Sequence, residues 1–249
     1  MTDHIQVSRD GAVQIIRFNR AEKKNAITDA MYHSLSEALE KGEADETVSV
    51  HILLGQSGVF TAGNDVADFM QFAVGAARLD EAGVARYLRL QPDITKPFLA
   101  GVDGVAVGIG TTLLFHCDMV FATPASQFST PFVNLGLVAE NASSLLAPRI
   151  MGGVRAFEML ALAERFDAER AREAGVINAV VEPDKLEAHV IEIAQRLAAK
   201  PQQALRRTKA LLKGDSAEVH AVSRSESEIF AERLGSDEAR EAFMAFMAR

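Results

Sequence analysis

The stretch Phe98-Leu99-Ala100-Gly101-Val102-Asp103-Gly104-Val105-Ala106-Val107 constrains the fold of this chain more than any other. A strand with one wet face alternates polar and apolar residues, and this run does not. It reads as a buried strand leading into a tight glycine turn. Ile5 and Val7, the Asp10-Gly11 turn and the β-rich run 12–18 predict a hairpin ahead of it. Thr28 is placed to cap a helix in which Met31, Leu35 and Leu39 share one face, with Gly42 positioned to end it. Val48, Val50, Ile52 and Leu54 alternate as a half-buried strand, and a short strand is expected at 118–122.

From Gly153 onward the pattern turns helical. Asp167 can cap a short helix ending at Gly175, and 177–181 reads as one last strand. Leu186, Val190, Ile193 and Leu197 mark an amphipathic helix stopped by Pro201. Beyond it the chain is charged and helical, with Ala239, Phe243 and Phe246 on one face. Strands early and helices late predict a mixed α/β core over 1–199 and a helical region over 200–249.

Composition excludes several classes. With 48% hydrophobic and 24% charged residues the chain reads as globular, and no apolar run reaches membrane-spanning length. The net charge of -8 argues against general nucleic-acid binding while leaving room for a local basic pocket. Cys117 is the single cysteine, so no internal disulfide is possible. MTDHIQVSRD lacks the basic and apolar regions of a signal peptide, and Arg249 ends no Ser-Lys-Leu address; a cytoplasmic location is expected.

Two segments carry glycines from a strand into a helix start: Phe60-Thr61-Ala62-Gly63-Asn64-Asp65-Val66 and Gly104 to Thr112. Such turns let backbone N–H groups approach a ligand, and two facing turns could aim two donors at one oxyanion. Each alone is also a common structural turn. The dinucleotide and phosphate-loop spacings are absent, and Gly55-Gln56-Ser57-Gly58 lacks the last glycine of a nucleophile elbow. His116-Cys117-Asp118 has no metal-ligand spacing around it and reads as buried structure.

Several motifs in order resemble the crotonase (enoyl-CoA hydratase/isomerase) superfamily. They are Phe18 to Ile27, Phe60 to Asp65, Val102 to Gly108, Ala125 to Phe128, Asn134-Leu135-Gly136 and Ala168 to Val176. The resemblance implies a spiral of repeated ββα units, with C-terminal helices that form a homotrimer or a dimer of trimers. It implies an acyl-CoA thioester as substrate, with coenzyme A as part of that substrate and no further cofactor or metal. By position, the backbone N–H groups of Asn64 and Ile109, flanked by Gly63 and Gly108, would form the oxyanion hole. Ala26 and Ala62 would lie beside the adenine, and Lys24 near the CoA phosphates. The segment from Phe69 to Leu90, with Gly75 and Gly83, would border the acyl group.

The reaction depends on the acid/base groups. Where a two-glutamate hydratase would carry its carboxylates, this chain has Thr112 and Phe132. Neither can act as a carboxylate base near neutral pH. Glu140, within Leu135-Gly136-Leu137-Val138-Ala139-Glu140-Asn141-Ala142-Ser143-Ser144, is a lone acid among apolar and small residues. By spacing alone it could be a solvated first-turn charge. The stretch is similar to the peroxisomal-type Δ3,Δ2-enoyl-CoA isomerases, in which a glutamate at this place is the base. It departs from them at Ala139 and Asn141, where proline and glycine are usual, and the departure bears on how far the carboxylate reaches. The expectation is a 3-enoyl to 2-enoyl isomerase. The alternatives are an atypical enoyl-CoA hydratase, a thioester hydrolase and a silent acyl-CoA-binding module. Asp65 reads as a helix cap, and Glu158 and Glu164 carry no signal.

Overall fold

The computed structural model describes residues 2–56, 58–73 and 78–247. In chain order the elements are β1 (Ile5–Asp10), β2 (Val13–Phe18), α1 (Asp29–Ala44), β3 (Val50–Leu54), α2 (Val66–Ala73), α3 (Gly83–Leu90), β4 (Phe98–Val102), β5 (Val105–Val107) and α4 (Ile109–Thr112). There follow β6 (Met119–Ala122), β7 (Gln127–Ser129), α5 (Ser143–Met151), α6 (Gly153–Leu160), β8 (Phe166–Asp167), α7 (Ala168–Glu173) and β9 (Ala179–Val180). Four helices close the chain: α8 (Leu186–Ala198), α9 (Gln202–Lys213), α10 (Ser216–Leu234) and α11 (Asp237–Met247).

Among the described residues the strands form two sheets, ordered β1-β2-β3-β4-β6-β9 and β5-β7-β8. The first hairpin is antiparallel, and from β2 to β9 the larger sheet is parallel. β4 belongs to the larger sheet and β5 to the smaller; β6 and β7 repeat that division. The tight turn at Asp103-Gly104 therefore carries the chain from one sheet to the other, and a helix follows. This is the spiral of ββα units that the motifs imply, with helices at its C-terminal end.

From β2 to β6 the larger sheet is buried on both faces. Val50, Ile52, Leu54 and Leu99 pack against Leu186, Val190 and Ala194 of α8. On the other face Ile16, Phe18, Leu53 and Ala100 join Met31, Leu35 and Leu39 of α1 and Phe128 of β7. Parallel strands covered on both sides need this near-continuous apolar composition.

Two expectations are corrected together. β3 is buried along its whole length rather than half-buried, and α1 runs past Gly42 to Ala44. The polar residue within β3, His51, is fully buried. Its ring nitrogens meet Gln14 Oε1 at 2.7 Å and Glu43 Oε1 at 3.0 Å. Gly42 makes room for that pair, since a β-carbon there would lie 2.6 Å from the His51 ring. Thr28 does cap α1, accepting from the Met31 N–H at 3.3 Å, and Asp167 caps α7 through Arg170 N–H at 2.8 Å. The last strand is shorter than the expected 177–181, pairing only over Ala179–Val180. The helix after Asp65 runs from Val66 to Ala73. Gly75 and the Phe246 side chain lie outside what the structure describes.

Candidate active site

The segment Thr61–Asp65 is clamped between two stretches of backbone. On one side Ala62 N–H donates to Lys24 O at 2.9 Å, Ile27 N–H to Gly63 O at 2.8 Å and Asp65 N–H to Ile27 O at 2.9 Å. On the other side Thr61 N–H donates to Val105 O at 2.9 Å, and Val107 N–H returns to Thr61 O at 3.2 Å. The parallel bridge between Ile27 and Asn64 is made through the Gly63 carbonyl and the Asp65 N–H, so the Asn64 N–H is turned away from Ile27. Beyond β5 the chain passes through Gly108, at φ 56, into α4, whose first N–H groups have no partner in their own helix. The two glycine turns thus lie side by side.

Gly63 shows how close they come. Its φ is +89°, and a β-carbon would sit 2.6 Å from the carbonyl oxygen of Val107. Only glycine fits both the dihedral and the contact. Asn25 supports the same region from below. It is fully buried, with its Nδ2 donating to Val59 O and Phe60 O at 3.0 and 2.9 Å. Asp65 is the expected cap, accepting from Ala67 N–H at 3.0 Å, and it also pairs with Arg20 at 2.6 Å.

A cavity of about 800 Å³ opens beside Asn64. Its walls are α3, through Val84, Ala85 and Leu88, and α10, through Ser223, Ser227 and Phe230. Glu140 also lines it and is 6% exposed. The other acids around it, Asp80, Asp93 and Glu228, are exposed. Glu140 is therefore the one buried carboxylate among the residues lining this cavity.

Thr112 Oγ1 donates to Glu140 Oε1 at 2.5 Å. Burial pushes the Glu140 carboxyl up to about 8, the Thr112 hydroxyl pulls against that rise, and nearby Glu226 adds to it. At neutral pH such a group is a carboxylic acid with the affinity for protons that a general base requires.

The turn after Glu140 is unusual. Asn141 and Ala142 both lie in the left-handed region, at φ 60 and 55. Asn141 is fully buried, its Nδ2 donating to Gln91 Oε1 at 2.9 Å while its carbonyl meets His116 Nε2 at 2.9 Å. Asparagine adopts this conformation more readily than other side-chain-bearing residues, so it serves where glycine would be usual. With Ala139 before it, the carboxylate still reaches the cavity.

The remaining predicted residues fall in two groups. Phe132 lies against Gly108, 3.6 Å from where a β-carbon would be, and meets Phe230 edge-on at 6.4 Å. Ile109 is buried at the start of α4, three residues before Thr112. Ala26 and Ala62 are half-buried and Lys24 exposed on the clamped segments, outside the cavity wall. His116 and Cys117 are buried, as expected of structural residues. Burial holds His116 neutral, down to about 4, and raises the Cys117 thiol to about 12.

Three residues of this site escape sequence reasoning. Tyr32, within α1, donates its hydroxyl to Asn64 Oδ1. Thr112 was set aside as too weak an acid, yet it holds the carboxylate. Glu226, 86 residues beyond Glu140, approaches it from α10. Only the apolar spacing of Tyr32 next to Met31 hinted at burial, and nothing local hinted at the other two contacts.

The two-sheet spiral carrying these turns is a crotonase fold. The chain belongs to the enoyl-CoA hydratase/isomerase family, whose model matches residues 8–249. It is 33% identical over 249 residues to enoyl-CoA delta isomerase 2 of Rattus norvegicus, covering 98% of this chain and 63% of that protein. It thus spans under two thirds of that relative's length. It is also 33% identical to 4-chlorobenzoyl coenzyme A dehalogenase-1 of an Arthrobacter species, over 80% of this chain and 73% of the relative. Among solved structures, Pseudomonas aeruginosa OdaA superposes with a TM-score of 0.92 at 38% identity, covering 100% of both chains.

Proposed function

We propose that this protein is a Δ3,Δ2-enoyl-CoA isomerase in which Glu140 is the single acid/base. The observation that carries the reading is the burial of this one carboxylate in the cavity that Asn64 also lines. Moving a 3,4 double bond into conjugation takes a proton from C2 and returns it at C4. One carboxylate lying over both carbons serves both steps. Loss of the C2 proton puts negative charge on the thioester oxygen, and in this reading the Asn64 and Ile109 N–H groups receive it. Each such donor contributes about 3 kcal/mol of transition-state stabilisation.

The absence of carboxylates at Thr112 and Phe132 supports isomerisation over hydration, because phenylalanine leaves no second group to activate water. Lys24, Ala26 and Ala62 lie on the clamped outer segments, where the CoA moiety would cross the surface. Coenzyme A enters as part of the substrate. Self-association into the family's trimer is supported by exposed apolar side chains, Val154 and Phe157 on α6 and Leu211 and Leu212 on α9. Among the described residues no helix is long and apolar enough to cross a membrane.

The test is a parallel assay of wild type and Glu140→Gln on 3-enoyl-CoA thioesters, following the conjugated 2-enoyl product. Turnover by wild type with a loss of about 10²–10⁴-fold or more in the variant is the expected result. Equal rates would remove Glu140 from the chemistry. Turnover only from 2-enoyl-CoA with water would make the protein an atypical hydratase.

A further inference from the structure

Behind Glu140 lies a second buried carboxylate that does not line the cavity. Glu226 sits on α10 between two residues that do, Ser223 and Ser227, and is 6% exposed. Its Oε1 accepts from Ser144 N–H at 2.8 Å, in the first turn of α5. That bond is made two residues after the left-handed pair Asn141 and Ala142. Ala142 has neither a hydrogen-bonding side chain nor glycine's freedom to favour that conformation, so its turn needs external support. Ser143 ties the same turn back on itself, its Oγ donating to Glu140 O at 2.6 Å.

We propose that Glu226 is a positioning residue for Glu140, holding the turn that presents the base and standing as a second buried carboxylate beside it. The proposal rests on the reading of Glu140 as the base.

The two carboxyl groups are not equivalent. Burial raises the proton affinity of both, but Glu226 receives a backbone N–H at a helix start, where anions are stabilised. Glu140 receives only the Thr112 hydroxyl. A negative charge held on Glu226 by that N–H favours the proton on Glu140. The other groups around the pair do not supply this charge. Tyr32 and Tyr87, from α1 and α3, are buried phenols held neutral by burial. His116 is buried and neutral against Asn141 O. On α10 itself His220 pairs with Asp93, while Arg224 and Glu228 are exposed at the cavity wall.

Glu226→Gln tests this, because glutamine keeps an oxygen that can accept the Ser144 N–H and removes only the charge. Stability is measured from pH 5 to 9 for wild type, Glu140→Gln, Glu226→Gln and the double variant. The pH-dependent gap between each protein and its Glu140→Gln partner reports the Glu140 titration without any turnover. That midpoint is expected to move down by about one pH unit when Glu226 loses its charge. In the isomerase assay the acid limb of kcat/KM moves by the same amount, while KM stays within about twofold because Glu226 does not line the cavity. An unchanged midpoint in Glu226→Gln would overturn the proposal and leave Glu226 as a helix cap alone. A shifted midpoint in a protein that turns over no 3-enoyl-CoA would sustain the coupling while removing the isomerase reading.

Discussion

Thr112 donates its hydroxyl to the carboxylate of Glu140 across 2.5 Å, joining α4 to the loop ahead of α5. The position at which the resemblance would put a hydratase glutamate thus holds the donor to a carboxylate supplied from elsewhere in the chain. Replacing Thr112 by valine removes that donor and keeps the shape. The acid limb of kcat/KM should rise by about one pH unit, because a hydrogen bond to the charged form has been lost. Thr112→Ser should restore it. A valine variant with an unmoved profile would show that the bond does not act on the titrating group.

The pH profile of the unmodified protein follows from the same carboxyl. Glu140 must be ionised to accept a proton, and burial has pushed it up to about 8. Below that value kcat/KM for 3-enoyl-CoA should fall about tenfold per pH unit, and above it the rate should level off. A rate flat from pH 6 to 9 would point to a base of ordinary carboxylate strength.

Gly63→Ala should damage both the fold and the two glycine turns proposed to form the oxyanion hole. The new β-carbon would meet the Val107 carbonyl at 2.6 Å in a backbone held at φ +89°. Something in the two clamped turns must shift, and the donors shift with it. A rate loss of about a hundredfold is expected, the scale of losing one oxyanion donor, with a lowered Tm. Full activity with only a lower Tm would separate that turn from the chemistry.

Asn141 separates backbone need from side-chain need. Glycine there keeps φ 60 accessible but loses the bond to Gln91; alanine loses both. Stability should fall in the order wild type, Asn141→Gly, Asn141→Ala, with the two losses differing by about 1 kcal/mol. Chemical denaturation of the three proteins checks the order, and equal losses would remove the conformational argument.

Acid should destabilise the protein through His116. Burial holds this ring neutral in the fold, down to about 4, whereas the unfolded chain takes up the proton near its ordinary value of about 6.5. Its contribution is present in full above about pH 6.5 and is lost as the pH falls through about 4, up to about 3 kcal/mol in all. His116→Gln should flatten the stability curve across that window. A wild-type curve already flat there would show that the ring is protonated within the fold.

What could be read in advance was local. The apolar run 98–107 and the cap at Thr28 announce their elements because each depends on neighbours in sequence. The glycine turns were legible as turns, and motif order made them one site. The alternation at 48–54 did not show that β3 is wholly buried, because the partners that satisfy His51 there, Gln14 and Glu43, come from other elements. Glu140 was visible as an acid out of place. Burial raises its proton affinity most, and Thr112 and Glu226, which adjust it further, meet it only through the winding of the chain, of which periodicity carries no trace.

The bridge between Thr61 and Ala106 has a consequence for how such a protein can change over generations. It ties together by main-chain ladder bonds the two turns that carry the donors proposed above, so side-chain substitutions at Asn64 or Ile109 leave the ladder itself untouched. Carboxylates can then be gained, lost or moved along the cavity wall while the donors stay in place. An inherited scaffold of this kind lets one lineage explore new reactions without first rebuilding what steadies their common intermediate.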